Sequence, residues 1–147
     1  MTPSRRKASQ VTDSPNAKNP VDLVKGYIAR INAGDPAGLA TVAGTDPRFI
    51  DATGTEFKLT SEAWARFFED FPDYRVRVEE ILSEGESVAV FGTASGSFRA
   101  KGNTVPGAAW SFPAAWKAIV RDGKLIEWRI YGDIEAMMRS AGRARSG

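Results

Sequence analysis

From residue 74 onward the chain repeats with a period of two. "YRVRVEEIL", "VAVFGTASGSF", "AWSFPAAWKAIV" and "LIEWRIY" alternate large apolar residues with polar or small ones, the pattern of strands with one buried face. The turns "EGES" and "RDG" are too short for anything but hairpins, so these segments make a four-stranded antiparallel meander. Its apolar face needs a cover, and the preceding residues supply one. After Asn19-Pro20, a cap and first turn, Val21, Val24, Ile28 and Ile31 form a helical stripe with Leu23 and Tyr27 alongside, closed by Ala33-Gly34. Asp35, as a cap, and Pro36 open a short helix through Leu39 and Val42. Gly44 to Pro47 breaks it, and "RFIDA" reads as a brief strand. A third helix runs from a Ser61 cap through Trp64, Phe67 and Phe68 to a stop at Pro72, and "DIEAMMRS" closes with another helical turn or two. The expected class is α+β, with N-terminal helices packed on one face of a curved antiparallel sheet.

The 147 residues suit one domain. Residues 1–19 have almost nothing to bury and read as a disordered tail, 20–138 as the domain, and 139–147 as a flexible basic tail. Within the sheet, Trp110, Phe112, Ala114, Trp116 and Ala118 should point inward, with Lys117 on the other face. Ile126, Trp128 and Ile130 should face the helices, with Glu127 and Arg129 turned away. Pro113 marks an edge, a bulge or a bend. Gly92 and Gly96 share one register, which either leaves room for a cavity or lets the sheet curve sharply. Outward, Arg75, Arg77 and Glu79 lie beside Ala89, Phe91 and Thr93: a solvated face, or the contact of a homodimer.

There is no cysteine and no histidine. Disulfides, thiolate nucleophiles and the commonest general base are excluded, so acid–base chemistry must run on Asp, Glu, Tyr, Lys or water. The net charge of +2 resolves into basic ends, +3 each over 1–19 and 139–147, around a middle of −4. That is not the basic face of a nucleic-acid-binding domain, and nucleic acid is not an expected partner. Arg5 and Arg6 have no apolar run behind them and no segment approaches a membrane span, which reads as a cytoplasmic chain.

Four stretches, "YIARINAGDPAGLATV", "FIDATG", "FPDYRVRVEEILSEGESVAVFGTASGSF" and "AAWKAIVRDGKLIEWRIYGD", together resemble the nuclear transport factor 2-like superfamily, and within it the SnoaL-like and ketosteroid-isomerase-like group. The resemblance implies a cone-shaped fold enclosing a pocket, a small hydrophobic ligand, and no metal or organic cofactor. Tyr27 falls where ketosteroid isomerases keep the tyrosine that bonds the substrate oxyanion. Asp51, in "DATG", falls where they keep the proton-shuttling aspartate. Where those enzymes carry a second, protonated aspartic acid, this chain has Trp116, whose indole N–H can still donate. Limonene-epoxide-hydrolase relatives carry an aspartate where Ile130 stands, which disfavours that chemistry. SnoaL-like cyclases place an acid–base aspartate in the last-strand region, which Asp133 could match by curling back.

Each residue has a plainer reading. Asp51 could close an Asx turn, Tyr27 could be a core tyrosine, and Asp133 could cap a helix. Trp64, Trp116, Trp128 and Phe112 would line the core or the pocket. Two functions follow: an isomerase or cyclase acting on a hydrophobic carbonyl compound with Asp51 as base and Tyr27 as oxyanion donor, or a non-catalytic ligand-binding or dimerisation module.

Overall fold

A computed structural model describes residues 19–100 and 103–139, so the tails expected over 1–19 and 139–147 lie outside it apart from Asn19 and Arg139. Helix α1, Pro20–Asn32, starts where Asn19 Oδ1 accepts the Val21 N–H at 2.9 Å, with proline in the first turn. Its stripe of Val24, Tyr27, Ile28 and Ile31 is buried. It stops at Gly34, whose φ of +63° a side chain would resist. Asp35 caps the short α2, Pro36–Val42, accepting the Gly38 N–H at 3.0 Å. Helix α3, Ser61–Asp70, is capped one residue earlier than expected: Thr60 Oγ1 accepts the Ala63 N–H at 3.0 Å. At the end of α1, Asn32 behaves like a strand partner, donating to the Val76 carbonyl at 3.0 Å and accepting the Val76 N–H at 2.8 Å.

The sheet contains β1 (Ala43–Ile50), β2 (Glu56–Lys58), β3 (Arg75–Glu84), β4 (Ser87–Ala100), β5 (Asn103–Arg121) and β6 (Lys124–Gly132) in the order β2-β1-β6-β5-β4-β3. The expected meander is present as β3 to β6. The sheet is nevertheless six-stranded and mixed, not four-stranded and antiparallel, because β1 runs parallel to β6 and carries β2 with it. That pairing joins segments about 80 residues apart (Arg48 opposite Glu127), and a local period cannot reveal it. Strand β1 also runs through the Gly44–Pro47 break, with its register shifting between Ala43 and Arg48. The "RDG" turn is as read: Asp122 and Gly123 have φ of 53° and 74°, both positive as a tight two-residue hairpin requires.

Strand β5 has 19 residues, which would run about 60 Å if straight. It bends instead, helped by register shifts in its own pairings, with β4 between Ser97 and Arg99 and with β6 near Ile126, while β3 shifts against β4 at 78–80. The shift near Ile126 corrects one inward set. Leu125 is fully buried where Ile126 was expected, and Ile126 is half-buried; Trp128 and Ile130 point inward as expected. The shift in β3 likewise puts Glu80, not Glu79, opposite Phe91. Gly92 lies against the backbone of β3 beside its register shift: a Cβ there would strike the Arg77 carbonyl oxygen. Gly96 lies against the Trp110 ring. Pro113 sits one residue beyond the last β5–β6 pair, Ala114 with Gly132, on the outer face. Trp110, Phe112, Ala114, Trp116 and Ala118 all face the buried side.

On the opposite face, Glu127 is the one buried charged residue among the described residues, only 6% exposed. Strand β1, paired beside β6, brings Arg48, which donates to Glu127 Oε1 at 2.8 Å, while Lys117 approaches at 4.0 Å. Among the described residues, no helix is long and apolar enough to cross a membrane.

Candidate functional site

Between α3, the β1–β2 arm and the inner faces of β5 and β6 lies a cavity of about 640 Å³. Phe49, Ala52 and Phe57 come from the arm, Trp64 and Phe67 from α3, and Phe112, Trp116, Trp128 and Ile130 from the sheet. Ile134, Met137 and Met138 close it from the C-terminal segment, which is helical over 135–139. The volume is in the range that holds a small organic ligand. Lys58, Thr60 and Arg66 also border it, and its lining holds one carboxylate, Asp51, and one phenol, Tyr74. Among the described residues no cluster of three His, Cys, Asp or Glu side chains could hold a metal ion.

Asp51 follows β1 directly and opens the turn into β2. Its Oδ1 accepts the Thr53 N–H at 2.9 Å, the Thr53 hydroxyl at 2.6 Å and the Thr55 N–H at 3.0 Å. Backbone bonds Asp51 N to Thr55 O and Gly54 N to Asp51 O, both 2.9 Å, complete the turn, and Gly54 takes a φ of +87°. Asp51 is thus an Asx-turn residue and a cavity residue at once. Desolvation is the largest single influence and pushes its pKa up, but the hydrogen bonds from Thr53, Thr55 and Gly54 together outweigh it and hold the group below the usual aspartate value.

Tyr27 is placed differently from the expectation that it meets a ligand. It is fully buried and is not among the lining residues. Its hydroxyl accepts the Trp64 indole N–H at 3.0 Å, and its ring packs on Trp128 at 5.2 Å and edge-on to Trp64 at 6.2 Å. Trp128 stacks in turn on Trp116 at 6.3 Å. Tyr27 therefore stands behind the wall and braces two of its indoles. Burial pushes its pKa well up, only partly offset by the Trp64 hydrogen bond, so the phenol is neutral.

Trp64, Trp116, Trp128 and Phe112 all line the cavity. Asp133 does not; its Oδ1 accepts the Glu135 N–H at 3.0 Å and caps the terminal helix. Tyr74 was missed by the sequence reading, which took it only as the start of a strand. Its position two residues before the inward Val76 was the available signal. Lys58, Arg66 and Met137 had no comparable signal, because the loop and helix that carry them converge only in three dimensions.

The sequence profile of the SnoaL-like domain matches residues 24–128. Among curated proteins no sequence match was found. Among solved structures, a candidate SnoaL-like polyketide cyclase from Jannaschia sp. CCS1 is 23% identical with a TM-score of 0.70, covering 88% of this chain and 95% of its own. A hypothetical protein with a ketosteroid-isomerase-like fold from Catenulispora acidiphila, solved with trimethylamine, is 17% identical with a TM-score of 0.69, over 88% and 95% of the two chains. A limonene-epoxide-hydrolase-like epoxide hydrolase of M. tuberculosis is 16% identical with a TM-score of 0.67, over 86% and 92%. At these identities the likeness is one of fold.

Proposed function

The chain belongs to the SnoaL-like family, and from that premise we propose that it binds a small hydrophobic carbonyl compound and catalyses proton transfer, of isomerase or cyclase type, with Asp51 as the base. The observation that carries this reading is the placement of Asp51, a carboxylate in the wall of a cavity otherwise dominated by rings and aliphatic chains. Its depressed pKa means that it is ionised and ready to accept a proton at neutral pH. It also makes Asp51 a weak base, and a weak base serves best where the substrate proton is itself acidic. A carbon flanked by two carbonyls, or by a carbonyl and an aromatic ring, fits. Epoxide hydrolysis is not favoured, since Ile130 offers no carboxylate to the cavity.

A specific observation also favours the second reading, a non-catalytic binding module. The hydrogen bonds to Oδ1 already account for the presence of Asp51 as a turn residue. Asp51→Asn separates the two, because the amide keeps an oxygen to accept those bonds but cannot take a proton. For aryl 1,3-diketones and aryl ketones, we expect the wild-type protein to speed exchange of the α-protons for deuterium beyond the buffer rate. Asp51→Asn should lower that excess by about 10²–10⁴ while thermal-shift binding persists. Equal exchange in both proteins, with binding retained, would leave the binding module.

We also place a homodimer contact on the outer sheet face. Supporting it are three large apolar side chains left exposed there: Phe91 (39%), Tyr131 (46%) and Leu82 (54%). Tyr131, Ala115 and Phe91 are direct neighbours across β6, β5 and β4, and Leu82 lies opposite Ala89 in the adjoining row.

A further inference from the structure

We infer that Tyr74 supplies the hydroxyl that holds the ligand's oxygen. The inference rests on the cavity being a site for a carbonyl compound and identifies which group in it reads the carbonyl. Of the two buried tyrosines near the cavity, Tyr74 lines it, whereas Tyr27 lies behind Trp64 and Trp128. The Tyr74 ring is fixed in place: Phe67 meets it edge-on at 4.8 Å and 90°, and Trp110 flanks it at 6.0 Å. Its backbone N–H is tied to the Phe71 carbonyl at 3.1 Å.

Tyr74 is the one phenol in the cavity lining, and a phenol hydroxyl carries a proton to donate. Burial pushes the Tyr74 pKa well up, with the nearby Trp116 indole a smaller opposing influence, so the group stays protonated and able to donate. A phenol proton selects an acceptor, such as a ketone, enolate or phenolate oxygen, over an amine or a plain hydrocarbon.

The test uses two probes of matched shape, 2-acetylnaphthalene and 2-isopropylnaphthalene, with tryptophan quenching to read both dissociation constants. Difference infrared spectroscopy on the bound ketone reads its carbonyl stretch. In the wild-type protein the stretch should move to lower frequency than in hexane. Tyr74→Phe should abolish that movement and weaken the ketone relative to the hydrocarbon by about fivefold, the usual net effect of one hydrogen bond. Tyr27→Phe should leave both readouts as in wild type. If Tyr74→Phe does not fold, Tyr74→Met removes the hydroxyl with a more adaptable side chain and is read in the same way. An unchanged stretch and affinity ratio on loss of the Tyr74 hydroxyl, or their loss in Tyr27→Phe instead, overturns the assignment while leaving the cavity as a ligand site. Failure of either probe to quench any of the proteins overturns the carbonyl-binding reading and the Tyr74 assignment together.

Discussion

Asp51 combines two demands in one side chain. The carboxylate closes the turn that launches β2, and its ionised form accepts the turn's hydrogen bonds best. A folded pKa below the unfolded value means that the ionised group stabilises the fold above the ordinary aspartate value of 3.8, and that this contribution disappears as pH falls through the depressed folded pKa. Asp51→Asn lacks the contribution at every pH. Melting temperatures should therefore differ most between the two proteins near pH 7 and converge as pH falls below the carboxylate range. A gap that stays constant down to pH 3 would show that the charge contributes nothing to the turn. The same depressed pKa predicts exchange activity that is flat across neutral pH and falls only in acid.

At the scale of elements, curvature is what makes the cavity. Strand β5 contributes the long inner row that includes Phe112 and Trp116, and the curl of the sheet over the helices is eased by the register shifts of the β3–β4, β4–β5 and β5–β6 pairings. Gly92 is the tightest of these points, since a methyl group there would strike backbone on β3. That neighbour is a ladder carbonyl and cannot swing aside as a side chain would. Gly92→Ala should cost about 3 kcal/mol, the upper part of the range for overpacking. At this chain length it should lower the melting temperature by about 10 °C in a calorimetric scan. A loss of only a degree or two would mean that β3 can shift at little cost and that the bulge is not rigid.

At the scale of the molecule, the inner face holds the cavity and the outer face carries the proposed dimer contact. The buried Glu127, flanked by Arg48 and Lys117, keeps the β1–β6 seam satisfied without help from another chain. The apolar row through Tyr131, Ala115 and Phe91 lies elsewhere on that face. Phe91→Glu would put a charge into that row, on each copy of a two-fold contact, and should convert a dimer to a monomer in sedimentation equilibrium. Ligand binding should persist, because Phe91 does not line the cavity. A wild-type chain that sediments as a monomer at all concentrations would remove the dimer from the proposal.

The sequence alone determined what depends on near neighbours: the helical stripe of α1, the caps at Asn19 and Asp35, the hairpin at Asp122-Gly123, and the inward row of β5. Each is set by a period or a turn geometry within a few residues, so the residue types carry it directly. Four stretches also carried the family likeness, and with it the fold. Tertiary structure alone decided the rest. The β1–β6 pairing, the burial of Glu127, the shift of Leu125 inward, the withdrawal of Tyr27 behind two indoles and the arrival of Tyr74 in the wall all depend on segments far apart in the chain. A local pattern records which face a side chain takes, but not what the opposite element places there. Tyr27 was legible as buried. That Trp64 and Trp128 would stand between it and the cavity followed only from how α3 and β6 pack around it.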